Sequence, residues 1–165
     1  MQRMWAPWRM GYIKAEKSIY CVLCAKAKEK RDRVNLILAR GEFGFVMMNL
    51  YPYGSGHLMV SPYQHVDSLE ALPDEVLHHL IDLTKQSIAV LKKTFKPEGI
   101  NVGLNMGKAA GAGIDDHIHF HIVPRWGGDT NFMTVVSDIR VIPEDLYETY
   151  RQLKPHFSNF RKPVM

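Results

Sequence analysis

The sequence predicts an α+β domain built on a mainly antiparallel sheet. Short apolar segments of strand length, some with strict alternation of polar and apolar residues, are joined by brief turns that contain Gly or Pro. One long segment, from Leu72 to Phe95, instead keeps its apolar residues at helical spacing. Strands with hairpin-length connections and interspersed helices favour antiparallel pairing over repeated βαβ units.

The strand predictions follow the alternation and the turn signals. They cover Asn35–Arg40, Phe43–Asn49, His57–Ser61, Ile100–Asn105 and His117–Val123. Gly41 and Glu42 separate the first two segments, which predicts a short hairpin. Residues 51–56, rich in Gly, Pro and Tyr, then form a loop before the third strand.

The helix predictions rest on end signals as well as on spacing. Pro73 and the acids Asp74 and Glu75 are typical of a first helical turn, and lysines near Phe95 suit the last turn. Shorter helices are expected over Glu144–Leu153, after a proline, and over Cys24–Arg31. The expected set is therefore one long helix with one or two shorter ones.

Composition describes an ordinary globular chain. Its 165 residues are 46% hydrophobic and 23% charged, without a linker or repeat, which predicts one domain over 1–165 with arms at about 1–20 and 143–165. No apolar run approaches the ~20 residues that cross a bilayer, and the N-terminal segment does not resemble a signal peptide. We therefore expect a cytoplasmic protein that does not bind membranes.

The formal net charge is small for a nucleic-acid-binding protein. At +4 it predicts no nucleic-acid partner but suits a small anionic substrate. The two cysteines of the chain, Cys21 and Cys24, form one C-x-x-C motif, which in a reducing compartment indicates a metal or redox pair.

Three histidines mark the most informative segment. His117, His119 and His121 alternate with apolar residues, so on a strand they share one face at spacings of about 6.6 Å. A plain solvated face is disfavoured on such an apolar strand. Two chemistries remain open: ligation of a catalytic zinc, or attack of the middle imidazole, His119, on a phosphoryl centre.

A glycine-rich segment lies directly upstream of these histidines. Residues 103–113 contain four glycines and several small residues, so backbone N–H groups can approach an anion closely. Glycines also serve tight turns. Their position just before the histidines favours a phosphate cradle and hence phosphorus chemistry.

The segment from His117 to Arg125, HIHFHIVPR, resembles the signature of the histidine-triad nucleotide-binding proteins. Upstream, the segments 48–52 and 56–62 with His65 resemble the strand, loop and second strand of that family, so that the resemblance covers about 21–125. The segments around Trp5, Cys21 and Trp126 are similar to its bacterial diadenosine tetraphosphate phosphorylase or hydrolase branch.

The resemblance implies a five-stranded antiparallel sheet, a homodimer and nucleotidyl transfer from a dinucleoside polyphosphate through a nucleotidyl-histidine on His119. It also implies that Asn49 holds the ribose and that His121 donates to the scissile phosphate. Asn105 and the turn formed by Gly111, Ala112 and Gly113 are expected to contact that phosphate. For Asn49 and Asn105, hydrogen bonding within turns is the alternative. Water or phosphate as acceptor stays open.

Cys21, Cys24, His65 and His117 form a plausible tetrahedral structural zinc set. Related branches of the resembled family carry such a zinc; the alternative is free cysteines with a surface histidine. A zinc-bound His117 would position His119 rather than contact phosphate.

The remaining aromatic and histidine residues receive structural roles. His57 is expected to be structural and the helical pair His78 and His79 solvated, whereas Trp5, Trp8 and Trp126 suit base stacking or a dimer interface. Alternatives for the whole chain are a nucleoside phosphoramidase, a nucleotide-binding regulatory protein and a zinc-dependent hydrolase. Because attack requires neutral His119, activity is expected to fall below about pH 6.5 if the pKa is unperturbed.

Overall fold

The computed structural model describes residues 21–129, 144–158 and 160. The described elements are α1 (Val22–Lys28), β1 (Ile37–Arg40), β2 (Gly44–Met48), β3 (Leu58–Pro62), α2 (Asp74–Phe95), β4 (Gly99–Leu104), β5 (Phe120–Arg125) and α3 (Leu146–Leu153). Two short 3₁₀ helices cover Lys108–Ala110 and Lys154–Phe157. The predicted N-terminal arm, with Trp5 and Trp8, lies outside the described residues, as does part of the C-terminal arm.

The five strands form one antiparallel sheet in the order β1-β2-β3-β5-β4. The predicted α+β class with a five-stranded antiparallel sheet is therefore confirmed. β5, which begins within the triad and contains His121, lies between β3 and β4, with Phe120 opposite Val60 on one side and Leu104 on the other. This register brings the triad beside the end of β4, where the glycine-rich segment begins.

The triad strand begins later than the predicted His117. The backbone before Phe120 is engaged outside the ladder, because Ile118 N–H donates to Val66 O at 2.7 Å and the His119 side chain bonds the His117 carbonyl. The predicted alternation nevertheless holds, since Ile118, Phe120 and Ile122 are all buried in the core.

Helix α2 covers one face of the sheet with the stripe predicted from its spacing. Val76, Leu80, Leu83 and Leu91 are buried in the main core. The helix ends at Phe95 because Lys96 adopts the left-handed conformation, with φ of 48°. This layer leaves the opposite face of the sheet for the triad.

Helix α1 packs on that opposite face. Leu23 is buried in a second, smaller cluster with Phe45, Met47 and Met59 of the sheet. Because Leu23 lies between the two cysteines, burying it fixes the C-x-x-C motif against the sheet, next to the triad.

The two edges of the sheet differ in the described part of the chain. At β1 a register shift between Ile37 and Ala39 turns successive carbonyls outward, where Lys154 Nζ donates to Leu38 O at 2.8 Å and Tyr150 Oη–H to Ile37 O at 3.1 Å. At β4 the residues are mostly exposed, and Val102 retains 46% of its accessible surface.

Among the helices that the structure describes, none is both long and apolar enough to cross a membrane. The expected cytoplasmic location stays a prediction, and so do the bounds of the single domain.

Candidate active site

Hydrogen bonding fixes the tautomer of His119. Its Nδ1 lies 2.9 Å from the main-chain oxygen of His117, and a carbonyl oxygen can only accept, so Nδ1 carries the proton. In the neutral ring the lone pair is then on Nε2. His119 is 5% exposed, and its ring centroid lies 4.7 Å from that of His121. The predicted nucleophile thus presents an unprotonated nitrogen beside a second imidazole.

The tautomer of His121 is set by a fourth histidine, His57. Tyr53 N–H donates to His57 Nδ1 at 3.0 Å, so neutral His57 carries its proton on Nε2. That Nε2–H donates to His121 Nδ1 at 2.9 Å. His121 is left with its own proton on Nε2, as a donor for a ligand.

Burial keeps the histidines of the site neutral. Burial lowers the pKa of His57 to about 3 and that of His121 to about 4, with neighbouring histidines adding to both shifts. Burial also lowers the pKa of His119, although its hydrogen bond to the His117 carbonyl acts in the opposite direction. Neutral rings are the forms that the three tautomer assignments require.

Asn49 anchors the loop that carries Tyr53. Its side-chain Oδ1 accepts from Tyr51 N–H at 2.9 Å, and its main-chain N–H donates to His57 O at 3.0 Å. The turn contact weighed as the alternative for Asn49 is therefore present. A ribose contact stays a prediction.

A cavity of about 330 Å³ opens beside His121, on the face of β4 and β5. Tyr53, Asn101, Asn105, His121 and Arg125 contribute to its wall. The structure thus brings predicted site residues Asn105 and His121 to one space. Neither Asn49 nor the turn at Gly111–Gly113 contributes to its described wall.

The glycine-rich segment forms the 3₁₀ turn at Lys108–Ala110. Gly107 and Gly111 flank it with φ of 80° and 89°, in the region that favours glycine. A Cβ built on Gly111 would lie 4.0 Å from Asn105 Nδ2, so this turn lies against Asn105. Phosphate contacts by Gly111, Ala112 and Gly113 stay predictions.

The four predicted metal ligands lie together. The donor atoms of Cys21, Cys24, His65 and His117 are all within 4.8 Å of one another. His117 Nε2–H donates to Pro62 O at 3.0 Å, which leaves the lone pair on Nδ1, the atom that faces the cluster. Among the described residues, this is the group of side chains able to hold a metal.

The spacing of these donors fits a tetrahedral zinc. Tetrahedral ligation places two nitrogens about 3.3 Å apart and a nitrogen and a sulfur about 3.5 Å apart. In the structure His65 Nδ1 lies 3.3 Å from His117 Nδ1 and 3.5 Å from Cys24 Sγ, and Cys21 Sγ lies 3.2 Å from His117 Nδ1. Burial raises the pKa of the Cys21 thiol, so a bound cation would be needed to hold it as thiolate.

Two residues differ from their sequence-based roles. His57 was predicted to be structural, but its ring bonds a triad member; only the pairing of β3 with β5, which brings Leu58 opposite Ile122, reveals this. His79 was predicted to be solvated, whereas its Nε2 is buried without a hydrogen-bond partner. Its ring contacts Phe43 edge-on, at a centroid distance of 5.6 Å.

Sequence comparison identifies the family of the chain. Residues 31–128 match the HIT domain family. A Mycobacterium tuberculosis protein named AP-4-A phosphorylase is 41% identical over 96% of this chain and 85% of its own length. An adenosine 5'-monophosphoramidase from Candida albicans is 29% identical over 64% of this chain and 70% of its own length. The chain therefore belongs to the HIT domain family.

Structural comparison gives the same family. A Zn-bound histidine triad family protein from Mycobacterium smegmatis superposes with a TM-score of 0.68 at 26% identity, covering 87% of this chain and 96% of that chain. Diadenosine triphosphate hydrolase from Plasmodium falciparum superposes with a TM-score of 0.60 at 22% identity, covering 78% and 77% of the two chains, and shows the shared fold.

Proposed function

We propose that the protein is a nucleotidyl transferase that cleaves dinucleoside polyphosphates of the diadenosine tetraphosphate type, with inorganic phosphate as acceptor. The observation that carries this proposal is the fixed tautomer of His119, whose Nε2 lone pair lies beside the N–H donor of His121. The relative named AP-4-A phosphorylase supports the substrate class and the acceptor.

In the first step His119 Nε2 attacks the phosphorus next to one nucleoside. A bond from nitrogen to phosphorus forms, and the bond from that phosphorus to the bridging oxygen breaks. His121 Nε2–H donates to the phosphoryl oxygens, where charge develops. Phosphate oxygen then attacks the nucleotidyl-histidine, so diadenosine tetraphosphate and phosphate give ADP and ATP.

Product analysis tests the acceptor. The protein is incubated with diadenosine tetraphosphate, with and without inorganic phosphate, and the nucleotides are separated. ADP plus ATP formed only with phosphate is the expected result. AMP plus ATP formed without phosphate identifies a hydrolase, and binding without cleavage of dinucleotide or phosphoramidate identifies a regulatory protein.

A phosphoramidase is the second candidate, because the Candida albicans relative carries that name. Cleavage of adenosine 5'-phosphoramidate at a rate well above that of the dinucleotide would favour it. The same His119 geometry serves both reactions, so the relative rates of the two substrates decide.

The Cys/His cluster is proposed to hold a structural zinc. Two thiols and two imidazoles fill the four positions of a closed site, which leaves none for an activated water. His119 and His121 lie outside the cluster, which argues against a zinc-dependent hydrolase. Zinc would add to folding stability, so elemental analysis should find about one zinc per chain and chelation should lower the melting temperature. Zinc-free protein under reducing conditions would contradict this, and total loss of activity at unchanged stability would favour the hydrolase.

A homodimer is also proposed, with the exposed edge at β4 as the contact. Antiparallel pairing of two such edges would extend the sheet across both copies. Sedimentation should give a dimer, and Val102→Lys, which adds charge at this edge, should favour the monomer. A wild-type monomer at micromolar concentration would contradict the proposal.

A further inference from the structure

The Cys/His cluster is connected to the proposed nucleophile through one residue, His117. Its ring nitrogen Nδ1 lies 3.2 Å from Cys21 Sγ and 3.4 Å from Cys24 Sγ. Its main-chain carbonyl accepts the hydrogen bond that fixes His119. The residue that contacts the two sulfurs through its ring is therefore the same residue that orients the proposed nucleophile through its carbonyl.

The two cysteines are chemically open to oxidation. Neither residue is in a disulfide and both are of intermediate exposure, so a small oxidant can reach the sulfurs from solvent, including in the proposed zinc-bound form. The Sγ atoms lie within 4.8 Å of each other, and the chain contains no other cysteine. Any disulfide formed within one chain must join this pair.

The backbone at the motif also permits a disulfide. Cys21 precedes helix α1 in a non-helical conformation, with φ of −54° and ψ of 123°, while Cys24 lies in the first helical turn. Side chains three residues apart on a helix have Cβ atoms about 5–6 Å apart, against about 3.5–4.5 Å in a disulfide. Because Cys21 is outside the helix, its side chain can close this gap without breaking helical hydrogen bonds.

We propose that Cys21 and Cys24 form an oxidation site. Oxidation to a disulfide lowers activity because both sulfur atoms are lost as neighbours of His117 Nδ1 and as metal ligands. The oxidant belongs to the hydroperoxide class, with hydrogen peroxide as its simplest member. The effect on turnover rests on the function proposed for His119, but formation of the disulfide does not.

The reaction balances with hydrogen peroxide alone. One thiolate attacks a peroxide oxygen, the O–O bond breaks, and a sulfenic acid and hydroxide form. The second thiolate attacks the sulfenic sulfur, the S–S bond forms and hydroxide leaves. In sum, two thiols and one peroxide give one disulfide and two waters; both sulfurs are oxidised and both peroxide oxygens are reduced.

The consequence for His117 follows from its contacts. The ring keeps its Nε2–H bond to Pro62 O, but once the sulfurs bond each other Nδ1 retains only His65 Nδ1, 3.3 Å away, as a polar neighbour. A buried acceptor that loses partners is costly. A shift of this buried residue moves its carbonyl, and with it the His119 ring. Oxidation should thus lower turnover without removing any group that contacts substrate.

The test treats the purified, reduced, zinc-containing protein with hydrogen peroxide. We expect loss of two thiols per chain, a mass lower by about 2 Da and monomeric chains on a denaturing non-reducing gel. A chromophoric indicator should detect released zinc, and turnover of diadenosine tetraphosphate should fall about fivefold or more and recover with dithiothreitol plus zinc. Failure of turnover to recover once both thiols are restored would contradict the inference, because methionine oxidation, which dithiothreitol does not reverse, would then explain the loss.

Matched variants separate the pair from other oxidisable groups. The double variant Cys21→Ser/Cys24→Ser has no thiol to oxidise and should show no dithiothreitol-reversible loss, whereas Met106→Leu, at an exposed methionine, should respond like wild type. Imidazole NMR spectra of wild type give a readout independent of turnover, because the His119 ring signals should shift on oxidation. If the reduced protein cleaves no nucleotide, the proposed function fails while thiol, zinc and NMR readouts still decide. Disulfides between chains, or an intramolecular disulfide with unchanged His119 signals, would overturn the inference.

Discussion

At the scale of single residues, the tautomer of each histidine in the site is set by a hydrogen bond to a neighbouring group. Two backbone groups determine these tautomers. The His117 carbonyl fixes that of His119, and Tyr53 N–H fixes that of His57 and, through it, that of His121. Both are main-chain groups, which every residue other than proline carries, so a sequence motif cannot show that they have this role. The triad predicts which atoms react, and the fold determines which ring nitrogens carry protons.

His119→Ala should lose turnover of diadenosine tetraphosphate by several orders of magnitude while keeping fold and nucleotide binding. In the proposed mechanism the ring makes the bond to phosphorus and has no substitute, whereas Ile118 and Phe120 hold the core in place. Steady-state kinetics with a binding assay checks both parts. Near-normal turnover, with contaminating activity excluded, would eliminate the nucleophile assignment.

His57→Phe should lower kcat about tenfold and leave KM nearly unchanged. Phenylalanine keeps the ring volume but can neither accept from Tyr53 N–H nor donate to His121. His156→Gln, at an exposed histidine, serves as the control and should match wild type. Equal effects of the two substitutions would remove His57 from the site.

The acid limb of the activity profile should lie below pH 6.5. Burial lowers the pKa of His119, and that of His121 to about 4, so both rings stay neutral at pH values where a free imidazole is protonated. The dependence of kcat/KM on pH measures the limb directly. A midpoint at or above 6.5 would mean that a different group controls the reaction.

At the scale of elements, periodicity predicted most of the fold. The stripe of α2 and the alternation of β5 appear as expected, because both patterns record which side chains are buried. The start of β5 differed because a side-chain bond to backbone replaces ladder pairing, and spacing does not encode such a bond. The contact of His57 with His121 was not predicted for a related reason: it depends on the register of β3 against β5, which spacing within one strand does not encode. The family and fold class are confirmed; the residue roles stay predictions.

Two glycines in strands should respond oppositely to alanine. In β2, a Cβ on Gly44 would lie 2.6 Å from both Ser61 O and Leu80 Cδ2, so Gly44→Ala should cost about 1–3 kcal/mol of unfolding free energy. In β4, a Cβ on Gly103 meets nothing within 4 Å, so Gly103→Ala should be neutral or slightly stabilising. Urea unfolding of both variants provides the measurement. A stable Gly44→Ala protein would show that α2 does not press on the sheet there.

At the scale of the whole molecule, the buried histidines make stability depend on pH. The folded-state pKa values of about 3 for His57 and about 4 for His121 lie below the unfolded value of about 6.5. The unfolded chain therefore binds more protons between those values, and stability falls as pH falls through that window. Each histidine contributes a slope of up to about 1.4 kcal/mol per pH unit. Urea unfolding from pH 7 to 4 should show this loss, and constant stability over the range would contradict it.

The contacts of Lys154 and Tyr150 with the β1 carbonyls have a consequence for self-assembly. A sheet with two open edges can add copies at both and grow into a filament. Here the outward carbonyls of one edge already accept hydrogen bonds from the chain's own C-terminal helices. The proposed pairing through β4 would then be self-terminating, because the second copy would present the same blocked edge outward. Removing the contacts of Tyr150 and Lys154 with β1, rather than changing β4, is therefore the substitution that would allow the proposed dimer to grow into a fibre.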